Sequence, residues 1–137
     1  FRIAAADTYF SIPEVDLGIP LAWGGIPRLV REIGAVATRD LVLTCRPFSA
    51  DEAKSIGFLH SVTETADVMN EANALAEQLS SKSSLTLYTT KTAINAAQEA
   101  LIPTTTAWSD ADSLVAALAD PESREVGARY LARTRKR

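Results

Sequence analysis

Glu14 follows Pro13 directly, at the end of the short apolar run Phe10-Ser11-Ile12. A carboxylate at a strand end can project into a pocket and there move protons or activate water. The same dipeptide also fits an exposed loop acid, and from these residues alone that solvated reading is favoured, because most loop acids face water. Asp16 stands two positions on, and in an extended segment alternation would put it on the same face as Glu14. Gly24-Gly25 opens a helix, which allows a close backbone approach, a dipole aimed at a ligand, or a plain junction. His60 sits in an apolar run and fits a structural role. Cys45 ends an apolar helix and fits a small buried hydrophobe. Arg129, Arg133, Arg135, Lys136 and Arg137 crowd one end of the chain, where cations suit the last turns of a helix.

Composition narrows the classes of function. The chain has 137 residues, 23% of them charged and 47% hydrophobic, which suits a folded domain rather than a disordered one. A net charge of −3 argues against nucleic acid as the main partner, because binding phosphate backbones needs a basic excess. One Cys and one His exclude an intrachain disulfide and an ordinary structural zinc site. The lone cysteine fits a reducing compartment, and no apolar run is long enough to span a bilayer. A soluble, cytoplasmic protein is expected. The chain opens with Phe1 inside an apolar run and not with Met, which suggests a fragment of something longer.

The elements that must position these groups fall into two textures. Residues 1–66 mix short apolar runs with Gly and Pro, as an α/β core does. Strands are expected at 1–5, 8–12 and 58–63, with an irregular loop over 13–23. A helix is expected over 26–33 with Gly34 as its C-terminal cap, and another over 38–45. Ser49-Ala50-Asp51-Glu52 has capping-box spacing, and Gly57 supplies the stop. Residues 67–137 are helical throughout. Val68, Ala72, Leu75 and Leu79 form one apolar stripe, and Leu87, Ile94 and Leu101 another. Asp120-Pro121-Glu122 starts the last helix with a cap, a proline at the first position and a first-turn acid.

The run Ser11-Ile12-Pro13-Glu14-Val15-Asp16-Leu17-Gly18, then Gly24-Gly25-Ile26-Pro27-Arg28-Leu29, resembles a pattern of the crotonase (enoyl-CoA hydratase/isomerase) family. Further matches stand in order. Leu43-Thr44, then Ser49-Ala50-Asp51-Glu52-Ala53-Lys54 and Gly57-Phe58-Leu59, is similar to the family's second signature. Asp120 to Arg124, Gly127, and Tyr130 to Lys136 resemble its closing helix. The resemblance implies an α/β fold: the C-terminal portion of a ββα spiral core (1–66) followed by a mostly helical trimerisation region (67–137). It implies an acyl- or enoyl-CoA substrate, with no cofactor beyond the coenzyme A that is part of that substrate, and no metal. The partners it implies are copies of the same chain, as a trimer or a dimer of trimers, with no nucleic acid and no membrane.

In that family two backbone N–H groups hold the thioester oxygen while enolate charge builds, and one or two acids move protons. Both donors and the first acid would lie before Phe1. The second acid matches Glu14, and the resemblance makes it catalytic. Ala22 matches the residue whose N–H orients water in hydratases, commonly Gly. Leu21 and Trp23 depart from the usual small residues of that loop, and would narrow the acyl pocket or pack beneath it. Arg133, Arg135 and Lys136 are candidates for the coenzyme A phosphates, although Leu131 and Thr134 replace the family's aromatic and lysine there.

The leading expectation is an enoyl-CoA hydratase of fatty acid β-oxidation, adding water across the 2,3 double bond. A Δ3,Δ2-enoyl-CoA isomerase is the alternative, because one carboxylate suffices to shuttle a proton between C2 and C4. A non-catalytic acyl-CoA binder or truncated homologue is the third. Residues 1–137 alone lack both oxyanion donors in this reading, and losing even one costs about two to three decades in rate. Purified residues 1–137 are therefore expected to turn over neither crotonyl-CoA nor a 3-enoyl-CoA; turnover within about tenfold of an ordinary hydratase would contradict the placement of those donors.

Overall fold

The computed structural model describes residues 1–135. They form two compact units, each assembled from separated stretches of chain. One comprises Phe1–Phe10 with Phe48–Pro103; the other comprises Ser11–Pro47 with the residues from Thr104 on.

In the first unit, β1 (Ile3–Ala5) pairs in parallel with β4 (Ser61–Thr63), Ala4 opposite Val62. β2 (Tyr9–Phe10) pairs antiparallel with β3 (Phe48–Ser49). Helix α2 (Ala50–Ser55) follows β3 at once, because Ser49 caps it by accepting the N–H of Glu52. Gly57, at φ 85°, closes α2 in a Schellman motif: the Phe58 N–H reaches the Ala53 carbonyl and the Gly57 N–H reaches Lys54. Leu59 also donates to Ala53. The expected strand over 58–63 is therefore shortened at its start, since those amides serve the helix end and not a ladder. The expected strands at 1–5 and 8–12 are likewise shortened, to Ile3–Ala5 and Tyr9–Phe10.

Phe10, Phe48 and Phe58 meet as a stacked pair with an edge-on third ring, beside buried Ala4, Ala50, Ala53 and Leu59. His60 is exposed and accepts the Arg2 N–H at Nδ1 (3.2 Å), with the Phe1 ring 4.9 Å away. This is the structural role its sequence context suggests. The unit continues through α3 (Val68–Ser80) and α4 (Ser84–Leu101). Helix α4 leaves Leu85, Tyr88, Ile94 and Leu101 more than half exposed. No helix among the described residues is long and apolar enough to cross a membrane.

The second unit begins with the 11–24 loop and helix α1 (Gly25–Thr44). Gly34, at φ 75° and ψ 164°, breaks α1 into two helical pieces. The sequence places the first stop there; the second piece starts a little earlier than position 38. Thr38 is buried and donates its hydroxyl back to the Gly34 carbonyl four positions earlier (2.8 Å). Leu41, Val42 and Cys45 bury the inner face of the second piece. After Pro103, α5 (Asp110–Ala119) leads into α6 (Pro121–Thr134), which Asp120 caps by accepting the Ser123 N–H (2.8 Å).

Two glycines let the 13–20 loop lie directly on α6. A Cβ at Gly18 would drive into the Ser123 carbonyl, and one at Gly127 into the Leu17 carbonyl. Main chain meets main chain there, with no side chain between. Gly127→Ala should destabilise the protein by about 1–3 kcal/mol through overpacking, despite the better helix propensity of Ala. Gly34→Ala meets nothing within 4 Å, so its cost is backbone strain alone, about 1–3 kcal/mol, because φ 75° with ψ 164° is a conformation open essentially to glycine. Urea denaturation of both variants checks this; a Gly127→Ala protein more stable than the parent would mean that the loop does not rest on α6.

Candidate functional site

Glu14 sits on a wound turn and not on an extended strand end. The Leu17 N–H donates to the Pro13 carbonyl, Gly18 to Val15 and Ile19 to Glu14, each at 3.0 Å. This corrects the expectation that Glu14 and Asp16 share a face, because residues two apart in such a turn point in opposed directions. Asp16 is exposed, with its N–H toward Cys45 Sγ (3.4 Å). The Oε2 of Glu14 is buried and has no hydrogen-bond partner among the described residues. An unpaired buried carboxylate oxygen is costly and calls for an explanation, of which a functional group awaiting its substrate is one.

The turn is held at three points. Gly18 and Gly127 fix it to α6, and the buried Cys45 holds Asp16. Cys45 itself takes a left-handed φ of 52° as the cap of α1, with its Sγ also near the Val42 carbonyl. The buried hydrophobe expected at Cys45 is thus also a chain-reversing residue.

Ala22, Leu21 and Trp23 lie on the same loop and do three different things. Ala22 is 3% exposed and its carbonyl accepts the Gly25 N–H, closing a tight turn. Positive φ falls not on Ala22 but on Trp23 (φ 55°), so the backbone at Ala22 accepts a residue with a Cβ. Leu21 folds back against the start of α1, where a Cβ on Gly25 would meet its side chain at 2.8 Å. Trp23 turns outward, 71% exposed, in a conformation that costs a non-glycine residue about 1–3 kcal/mol. Gly24, the N-cap of α1, is also left-handed, and its N–H donates to Asp110 Oδ2 (2.8 Å). Nothing near Asp110 in the sequence marks this role, because the partner is 86 positions away.

Arg133 and Arg135 are exposed at the end of α6, while Lys136 lies outside the described residues. Among the described residues no three His, Cys, Asp or Glu side chains gather to hold a metal ion.

With this geometry in view, the relatives can be named. The enoyl-CoA hydratase/isomerase family matches residues 1–136, and the chain belongs to that family. The short-chain-enoyl-CoA hydratase of Clostridium acetobutylicum is 36% identical over 107 residues, 78% of this chain and 41% of its own length. The crotonyl-CoA hydratase of Syntrophomonas wolfei is 37% identical, over 69% of this chain and 36% of its own. The crystal structure of an enoyl-CoA hydratase from Mycobacterium avium subsp. paratuberculosis superposes with a TM-score of 0.85 over 96% of this chain and 53% of that one; at 21% identity this is a likeness of fold. The chain thus spans about two fifths of the first curated relative and about half of that structure.

The cap of α6 gives a pH signature. The backbone N–H of Ser123 holds the Asp120 carboxyl below its ordinary value of 3.8. A depressed carboxylate stabilises the fold fully above its unfolded-chain value and loses that contribution as pH falls through the lower folded one. Asp120→Ala should therefore lower the urea midpoint at neutral pH, and the gap from the parent should close as pH drops below 3.8. A gap that persists at pH 2, or is absent at neutral pH, would contradict the cap.

Proposed function

We propose that the intact protein is an enoyl-CoA hydratase of fatty acid β-oxidation, and that Glu14 is its acid/base within this chain. The observation that carries this reading is the buried, unpaired Oε2 of Glu14 on a loop seated by backbone contact on α6. A carboxylate oxygen with no protein donor keeps its lone pairs for a proton from a substrate or an attacking water. The curated hydratases at 36% and 37% identity support water as the reactant and a short enoyl-CoA as the substrate class. In this mechanism water adds at C3 while the thioester oxygen carries enolate charge, and the Ala22 N–H helps to orient the water.

Isomerisation between 3-enoyl and 2-enoyl thioesters is the second reading. It is favoured by one observation: Glu14 is the one side chain among the described residues that presents such an orphaned buried oxygen, and one carboxylate suffices for that reaction.

Further parts belong to the same proposal. Residues 1–66 are the end of the core, and residues 67–137 an oligomerisation region. Exposed Leu85, Tyr88, Ile94 and Leu101 on α4 support assembly into a trimer or a dimer of trimers. Arg133, Arg135 and Lys136 contact coenzyme A phosphates, for which Arg forks are suited. Coenzyme A is part of the substrate, with no separate cofactor, and the location is cytoplasmic, which the single Cys favours.

Glu14→Gln in the intact protein should lower kcat by about two to four decades with folding and coenzyme A affinity nearly unchanged. The assay follows loss of enoyl absorbance with crotonyl-CoA, and in parallel conversion of a 3-enoyl-CoA. Wild-type turnover in the variant would remove Glu14 from the chemistry, and parental activity on the 3-enoyl substrate alone would select isomerisation.

A further inference from the structure

The peptide unit joining Trp23 to Gly24 is gripped at both of its polar atoms by charged side chains. Its carbonyl accepts from Arg28 Nη1 at 2.7 Å, and its N–H donates to Asp110 Oδ2 at 2.8 Å. Cation on oxygen and anion on N–H is the matched arrangement, and hydrogen bonds with one charged partner are the strong ones. The residues on either side of this unit, Trp23 and Gly24, are both left-handed, at φ 55° and 70°. Gly tolerates that conformation; Trp does not adopt it unless something holds it there. The space around the unit is closed as well, since a Cβ on Gly24 would meet Arg28 Nη1 at 2.8 Å and the Ala107 Cβ at 3.4 Å.

The held residue presents its ring to the outside. Trp23 is 71% exposed, so the clamp does not serve to bury it. Strain concentrated at one residue, fixed by charged groups from α1 and α5, with a large apolar ring left uncovered, is the pattern of a preorganised contact surface. Once the backbone is fixed an indole has only two torsions to order, so a ligand that meets it loses little entropy.

We propose that Asp110 and Arg28 are positioning residues that lock Trp23 so that its indole forms a fixed wall selecting the length of the bound acyl chain. This rests on the reading that the 20–24 loop borders the acyl group of a coenzyme A thioester. Asp110 acts through the Gly24 N–H and touches no substrate atom. Releasing it frees the peptide unit to turn over and lets Trp23 relax to negative φ, which swings the ring away.

The test measures dissociation constants of butyryl-CoA and dodecanoyl-CoA for the intact protein by calorimetry, so no turnover is needed. Trp23→Ala should shift the ratio of the two constants by about tenfold, the scale of one methylene against an apolar wall. Asp110→Ala should shift it in the same direction by at least about threefold, and Asp110→Asn, which keeps an acceptor for the Gly24 N–H, should stay near the parent. Arg28→Met, which frees only the carbonyl, should move the ratio the same way and stands in if Asp110→Ala does not fold. A shifted ratio in Trp23→Ala with unshifted Asp110→Ala or Arg28→Met would overturn the clamp and leave the loop at the acyl group. An unshifted Trp23→Ala, or a parent that binds neither thioester, would overturn the reading of the loop itself and the clamp with it.

Discussion

The second unit depends on two backbones lying against each other without side chains between them. Gly18 brings the 13–20 turn onto the Ser123 carbonyl, and Gly127 opens α6 to the Leu17 carbonyl. Glycine is needed at both places for different reasons. Gly18 also carries a left-handed φ of 73°, while Gly127 is required for space alone. Their effect is to set the height and tilt of the turn over the helix, and so the direction in which Glu14 points. The cap of α6 adjoins the same contact, because Ser123 donates its N–H to Asp120 while its carbonyl faces Gly18. A shift of one turn along α6 would replace these small contacts with side chains and lift the loop.

A second constraint acts on the other end of the loop. There the chain must reverse into α1, and it does so through two consecutive left-handed residues and not through a side-chain cap. Gly25 stays open for Leu21 to fold back, which leaves Ala22 buried beneath. Glu14 and Trp23 are therefore held by different devices, main-chain packing for one and charged hydrogen bonds for the other.

How much was legible in the sequence followed from how local each signal was. Ser49 with Glu52, Gly57, Gly34 and Asp120-Pro121 announce caps and stops by neighbours within a few residues, and each acts as its spacing implies. Strand ends were overdrawn because apolar residues such as Phe58 and Leu59 look the same whether their amides serve a ladder or a helix end. Pro13-Glu14-Val15-Asp16 looks extended, yet winds, because the hydrogen bonds that wind it involve carbonyls that carry no sequence label. Glu14 itself was found through a motif and not through its chemistry. Asp110 was invisible, since an acid in a first helical turn has a sufficient local reason to be there.

The glycine contact also sets a timetable for the molecule as it is made. Leu17 and Gly18 leave the ribosome more than a hundred residues before Ser123 and Gly127, the groups they must lie against. Until α6 emerges, the nascent turn has no surface to rest on, and contacts so far apart in sequence are the slow ones to form. The first unit waits less, because Phe58 and Ser61 arrive much sooner after β1 and β2. The pairing of β1 with β4 can thus form while the 13–20 turn still lacks the helix it rests on. Until α6 arrives, the apolar side of the turn stays open to solvent and to whatever binds exposed apolar loops.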